Sequence, residues 1–561
     1  MTAPRSAALR LPLLCATLFL SALAFSAAFT SFLHPKEMLL AAGLLALSTI
    51  GAMAGVNPCS GFRFFFPLWA GWLYLALWHG LLHPPLLHGA ALLELARLAI
   101  LLLLASITYD LCQSPRHAAW LLRSMVAGAA ACASLALLQY FDLALRLFPR
   151  FPHYDQKMYS VFGNQDLLGS YLALALAIIP LGRIRGPRDA VLRMLAGAPI
   201  LCALALSGSR SAWLAAAMGL LMALARMRPR RHALAGAALL LAATLLCIAF
   251  APQRTLSRIS NTFAPGDTGA WVRLWTWDGA LRMACAYPLA GVGPANFQFH
   301  SPRFMGEALH APGGDKHAHN ALHAVYAESE PIQFLCESGL LGLLFAGWWL
   351  WVLLRRRGPA WSGIAAMALV SCFSFPLHSP PHALAALLLC GTLRPRHVSH
   401  RPAMERPPNT RAATRALPLA ALVLITLLSW VHWIPSALTA RADRASATAA
   451  DAVVQYRRAL DWTPDLFETG ELRLHYAIAL ALSSQHEGNS ITPKTLFAAI
   501  EKTAQRLDTG EVHRLRGRCY HHHGKHAEAL AAFRAALYRW PGDIFSQQSI
   551  AAIESMREGS K

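Results

Sequence analysis

Apolar runs of roughly 20 residues, separated by short polar joints, occupy this chain from near its start to about position 435. A helix rises about 1.5 Å per residue, so one such run crosses the roughly 30 Å hydrocarbon core of a bilayer. The pattern predicts spans at 11–33, 37–55, 64–82, 86–108, 117–141, 167–182, 191–206, 211–225, 233–250, 333–354, 361–375, 382–393 and 416–435. The expected fold class is all-α, a polytopic transmembrane bundle of about 12–13 spans over residues 1–435, interrupted by a long polar loop at 251–332. Residues 436–561 have the patterning of water-soluble helices and form a second domain. The first run suits a signal peptide or an uncleaved anchor equally, with Arg5 and Arg10 ahead of or within it.

Charge then gives direction. With the N-terminus in the cytoplasm, the arginine clusters Arg183/Arg185/Arg188/Arg193, Arg226/Arg228/Arg230/Arg231, Arg355/Arg356/Arg357 and Arg394 to Arg415 all fall inside. The outer joints hold few basic residues, chiefly Lys36, Arg146, Arg150, Lys157 and Arg210. This asymmetry is the one that sets membrane topology. It places the 251–332 loop and everything past 436 in the periplasm of a bacterial inner membrane. The linker 394–415, rich in proline and arginine, reads as an irregular cytoplasmic loop.

Composition narrows the classes. The chain is 55% hydrophobic and 14% charged, a balance soluble domains rarely reach. Its net charge of +21 raises the question of nucleic acid, but the arginines are dispersed between apolar runs, so no nucleic-acid partner is expected. The 11 cysteines form no CxxC pair, and several (Cys15, Cys132, Cys202, Cys247, Cys390) lie inside apolar runs, where cysteine behaves as a small hydrophobe. Cys519 is the only cysteine beyond residue 436, which leaves that domain without an internal disulfide.

Between 510 and 543, Gly517, Tyr520, Gly524, Ala529, Phe533, Ala536 and Pro541 fall at the spacing of a tetratricopeptide repeat, and Ala452, Tyr456, Ala459 and Pro464 repeat its second half. Small residues let two antiparallel helices approach, aromatics fill the gap, and proline ends the second helix. Such a domain offers a surface for a protein partner. His521, His522 and His523 form a histidine run that a repeat helix would present to solvent rather than to a metal.

Chemistry concentrates on the outer joints. Gly163-Asn164-Gln165-Asp166-Leu167-Leu168-Gly169 precedes a span, and Ser207-Gly208-Ser209-Arg210-Ser211 joins two others. An arginine at that depth ordinarily snorkels to lipid phosphate, yet small neighbours leave Arg210 approachable by a diphosphate headgroup. The long loop carries Trp271-Val272-Arg273-Leu274-Trp275, then Pro288-Leu289-Ala290-Gly291-Val292-Gly293-Pro294-Ala295-Asn296-Phe297, then His317-Ala318-His319-Asn320, and finally Glu328-Ser329-Glu330-Pro331-Ile332-Gln333 through Glu337-Ser338-Gly339-Leu340-Leu341-Gly342. Elsewhere, Glu94 and Arg97 share a face of one span and read as a self-neutralising pair, and Trp348-Trp349-Leu350-Trp351 reads as an aromatic belt.

In order, spacing and membrane side, the motifs across 155–345 resemble the O-antigen ligase and polymerase superfamily, which includes the pilin-type protein O-oligosaccharyltransferases. The resemblance implies a glycosyltransferase that moves a glycan from undecaprenyl diphosphate to an acceptor hydroxyl, on lipid A core or on protein, at the periplasmic face. It implies an inverting single displacement with no metal and no cofactor. Arg210 and Arg273 match the family's arginine motifs and take the diphosphate; Ser209, Asn164, His317, Asn320 and Glu337 support the site. His319, in the family-like His-Asn pair, is the expected base. The chain departs from the family at one point: Glu328-Ser329 occupies the slot where relatives carry His-Asn. Either an insertion has displaced the histidine, or Glu328 serves as base, its pKa raised at an apolar interface.

Ligase, protein glycosylase and polymerase share one reaction class and differ in acceptor. A flippase for lipid-linked glycan would instead carry helices broken in corresponding places of both halves, and no paired breaks are evident. A non-enzymatic anchor for a repeat scaffold would have no use for the outer arginines.

Overall fold

The computed structural model of the chain describes residues 3–26, 28–29, 31–79, 88–141, 143, 158–181, 186–226, 268–314, 324–395, 410–445, 449–464, 470–484 and 492–559. Among these the fold is all-α. The sole sheet among the described residues pairs Arg356–Arg357 antiparallel with Arg394–Pro395, so the linker expected to be irregular begins as a short strand.

The bundle comprises α1 (Ala3–Leu23), α2 (His34–Met53), α3 (Cys59–Phe64), α4 (Phe66–Leu77), α5 (His88–Gln113), α6 (Pro115–Tyr140), α7 (Gln165–Ile178), α8 (Pro187–Ser207) and α9 (Arg210–Ala225). After the long loop, α12 (Glu330–Leu354), α13 (Trp361–Ser371), α14 (Pro380–Thr392) and α15 (Thr410–Leu428) complete it. Among the described residues, five helices are long and apolar enough to cross a membrane: His34–Met53, Gly89–Gln113, Pro115–Tyr140, Glu330–Leu354 and the continuous Arg415–Asp443. The others are apolar but shorter. The chain is thus a polytopic helical protein. The run at 233–250 lies outside the described residues.

Two spans differ from expectation for visible reasons. The first helix runs from Ala3 to Leu23 and takes in Arg10 as a buried residue rather than a flanking charge, its guanidinium donating to the Asp110 carboxylate at 2.8 Å and to the Ile107 carbonyl. The third is broken at Phe65, ahead of Pro67, a residue that suits the first turn of a new helix. On α12, Leu340, Leu344, Leu350 and Trp351 are exposed, as apolar side chains facing lipid should be.

Ion pairs between bundle helices fall into two sets. Arg10–Asp110 and Arg123–Asp189 join ends that the charge pattern assigns to one face. His432–Glu37, His378–Glu330 and Arg273–Asp166 join ends assigned to the other, and Arg97, from within α5, reaches Glu37 on that side. Arg97 is therefore not confined to its pair with Glu94: it also meets Glu37 Oε1 at 3.1 Å and donates to the His378 carbonyl. One carboxylate satisfies only part of a guanidinium's fork, and a buried arginine recruits acceptors for the rest.

The 251–332 loop contributes α10 (Thr268–Ala286) and α11 (Phe297–His310), which pack on each other and on the start of α12 around Trp275, Met283, Phe297 and Met305. Helix α12 is broken at Gly339, whose φ of +64° and ψ of −168° suit glycine alone. The break admits the 288–293 segment as a backbone ladder. Val292 and Gly293 donate to the carbonyls of Cys336 and Glu337, and Leu340 and Leu341 donate to those of Pro288 and Leu289. A methyl group on Gly339 would lie 2.3 Å from the Leu289 oxygen, and one on Gly291 would lie 2.4 Å from the Glu337 carbonyl carbon. The two glycine motifs thus interlock. Gly339→Ala is expected to destabilise the protein by at least the roughly 1–3 kcal/mol of the backbone strain alone. A thermal melt in detergent would show this as a clear fall in midpoint, whereas Gly347→Ala, where an added Cβ meets nothing within 4 Å, should not lower it comparably.

From α15 the chain runs through a π turn (Ser429–Trp433) into α16 (Ile434–Ala445), followed by α17 (Ala449–Trp462), α18 (Gly470–Ser483), α19 (Pro493–Ala504), α20 (Gly510–His522), α21 (His526–Arg539) and α22 (Ile544–Gly559). Thr509 caps α20, Gly517 faces the Phe533 ring across the α20–α21 hairpin, and Gly524 (φ +71°) makes its turn. These helices rest on the loop: the Tyr538 carbonyl approaches Gly306, His310 stacks on Tyr538 at 4.8 Å, and Trp540 joins the cluster around Met305.

Candidate functional site

Asn164 opens α7. Its Oδ1 accepts from the Asp166 and Leu167 amides at 2.7 and 3.4 Å, satisfying donors that a helix start leaves orphaned. Asp166 thereby sits in the first turn, where the helix dipole favours an anion. Gly169, one turn on, lets α9 come close; a Cβ there would be 2.9 Å from Ala212 Cβ and 3.0 Å from Ser209 Cβ. Ser209 is buried at this crossing as the residue before α9, after a turn made by Gly208 in the left-handed region (φ +69°). Arg210 is the first residue of α9 and half-buried. Two motifs separated by some forty residues are thus packed together by small side chains.

Helix α10 brings the second arginine to the same place. Arg273 Nη2 lies 3.3 Å from Asp166 Oδ2, and Arg273 Nε is buried with no hydrogen-bond partner among the described residues. A buried guanidinium donor without an acceptor is costly unless something else occupies it, and phosphate oxygens match that fork.

Glu328 completes the cluster. Burial pushes its carboxyl up to about 7, a rise that Arg273 opposes and Asp166 reinforces, so all three charges share one environment. Its backbone has φ +53°, unfavourable for glutamate and held by clamps on both sides. On one side, the Ala327 amide donates to Gln333 Oε1 at 2.7 Å, and Gln333 Nε2 donates to Glu337 Oε1 at 2.7 Å. On the other, the Leu377 amide donates to Glu330 Oε1 at 2.6 Å, and Glu330 Oε2 meets His378 Nδ1 at 3.2 Å. Burial alone would discourage protonation of His378; Glu330, with smaller help from Glu94 and Glu337, outweighs it and raises the imidazole to about 9.

Of the residues singled out in the sequence, the structure therefore brings Asn164, Ser209, Arg210, Arg273 and Glu328 into one region. Glu337 stands behind it, bonded to Gln333 and, at 3.4 Å, to the Phe297 amide. His317, His319 and Asn320 lie outside the described residues, in the segment between α11 and Tyr326. Sequence reading quoted Asp166 without giving it a role; an acid in the first turn after an asparagine cap was the available signal. Glu330 and His378 gave no such signal, since their pairing depends on a contact between distant segments.

The arrangement offers an anion the Arg273 guanidinium, with Arg210 opening a helix that packs on α7, and it sets a carboxyl of raised pKa in the same environment as Arg273. Residues 195–347 match a family model described as O-antigen ligase. No curated protein is similar enough to the chain to match it. The matched segment, about a quarter of the chain, holds Arg210, Arg273, Glu328 and both interlocking glycine motifs, so the part that carries the candidate site is similar to the O-antigen ligase family.

Proposed function

We propose that the protein transfers a glycan from undecaprenyl diphosphate to an acceptor hydroxyl on lipid A core or protein, at the periplasmic face of a bacterial inner membrane. The observation that carries this reading is the buried Arg273 Nε, without a partner among the described residues, in one cluster with Glu328 and with Asp166 on the helix that packs against Ser209. In the reaction the acceptor oxygen attacks the anomeric carbon as the carbon–oxygen bond to the diphosphate breaks, with inversion. Arg210 and Arg273 neutralise the charge developing on the departing lipid diphosphate. Glu328, poised near neutral pH, takes the hydroxyl proton. Asn164 and Ser209 hold the two helix starts in register, and Glu337 steadies the Glu328 segment. His319, with His317 and Asn320, remains the rival base. The C-terminal helices, read as tetratricopeptide repeats over 436–561, present the acceptor or its carrier above the loop on which they rest.

A flippase finds less support. It calls for matched helix breaks in two halves, and the break at Gly339 serves to seat the 288–293 segment. A strain lacking its own ligase tests the reading: expression of this chain should place polymer on lipid A or on an exported protein. Retention of all polymer on the lipid carrier, with the protein present in the membrane, would count against it; lengthening of that polymer would indicate the polymerase.

A further inference from the structure

Outside the two arginines and Glu328, one further cluster of side chains among the described residues could hold a metal ion. His34 and Glu37 stand one turn apart at the start of α2, and His432 reaches them from the π turn between α15 and α16. One ligand atom from each lies within 4.8 Å of the others. His34 and Glu37 are buried and His432 is partly exposed, which leaves an entry path.

The three side chains stand close enough for one ion to draw them together. His432 Nε2 and Glu37 Oε2 are 3.6 Å apart, too far for a good hydrogen bond. Two ligands at about 2.0–2.1 Å from a tetrahedral ion would sit roughly 3.3 Å from one another. Two of the three ligands, His34 and Glu37, also have the outer partners that metal ligands usually show. The Ser436 hydroxyl is 2.7 Å from His34 Nδ1, which leaves Nε2 for an ion. Glu37 Oε1 is held by Arg97 at 3.1 Å, and Trp433 Nε1 lies 3.3 Å from Oε2, leaving that oxygen a second lone pair. Arg97 does not cancel the site's negative charge, since Glu94 lies 2.9 Å from it. A π turn is an uncommon, strained element that tends to occur where a side chain is being aimed.

We propose that His34, Glu37 and His432 bind a divalent transition-metal ion of the zinc type, with water as the fourth ligand, and that this ion clips the last bundle helix to α2. Two imidazoles and one carboxylate suit zinc rather than calcium or magnesium. The ion is structural, and the transfer chemistry does not pass through it.

The test uses the full chain purified in detergent, stripped with chelator, given one equivalent of Zn2+ or Co2+, and desalted. Near-stoichiometric retained metal, tetrahedral visible absorption for the cobalt form, and a higher melting temperature on metal addition are expected. His34→Gln and His432→Gln should each lower retained metal at least tenfold, while His378→Gln should keep it. Retention below a tenth of an equivalent by the wild type, or unchanged retention in both variants, overturns the proposal. Should the variants aggregate, X-ray absorption on the zinc-loaded wild type decides: a nitrogen/oxygen shell near 2.0 Å with imidazole scattering supports the site, and a shell without imidazole refutes it.

Discussion

Replacing Arg273 with alanine is expected to lower glycan transfer about 10²–10³-fold, roughly 3–4 kcal/mol of transition-state stabilisation, the usual cost of removing one preorganised donor from a developing oxyanion. The donor in question is already oriented, because Asp166 holds Nη2 while Nε is buried and partnerless among the described residues. Arg273→Lys should recover only part of the loss, since an ammonium cannot reproduce the planar fork. Asp166→Asn should cost less than either, because it loosens the guanidinium without removing it. Transfer of labelled glycan by purified protein in detergent measures all three. Membrane insertion should be unaffected, as α10 is packed through Trp275, Ala280 and Met283 rather than through Arg273.

Glu328→Gln is expected to lower turnover by about 10²–10⁴-fold, the range for loss of a general base, with donor affinity little changed. The pH profile carries the sharper signature. A base acts deprotonated, so with a carboxyl near 7 the wild-type rate should climb about tenfold per unit below that pH and level off above it. Glu328→Asp should retain a weakened version of this limb, and Glu328→Gln should lose it. His319→Ala should have the smaller effect; a larger loss than Glu328→Gln gives would assign the proton to the histidine instead.

Much of this arrangement was legible before the structure. Long apolar runs report helices because lipid offers no hydrogen bonds and leaves the backbone little alternative. Described helices therefore appear where runs such as 86–108, 117–141 and 333–354 predicted them. What sequence could not show was convergence. That Asp166 would meet Arg273, 107 positions away, depends on α10 folding back onto α7. That Glu328 would be strained follows from Gln333 and Glu330 pulling its neighbours in different directions. The break at Gly339 was invisible for a related reason: a lone glycine in an apolar run is common, and only the 288–293 segment lying against it explains why the helix parts there.

Glycan transfer by this protein requires two guanidinium groups to grip a pyrophosphate. The most direct test of that grip is the binding of undecaprenyl diphosphate to the detergent-purified protein, measured for wild type, Arg210→Ala, Arg273→Ala and Glu328→Gln. Affinity should fall at least tenfold in each arginine variant and stay near wild type in Glu328→Gln. Equal affinity in all four proteins would contradict it.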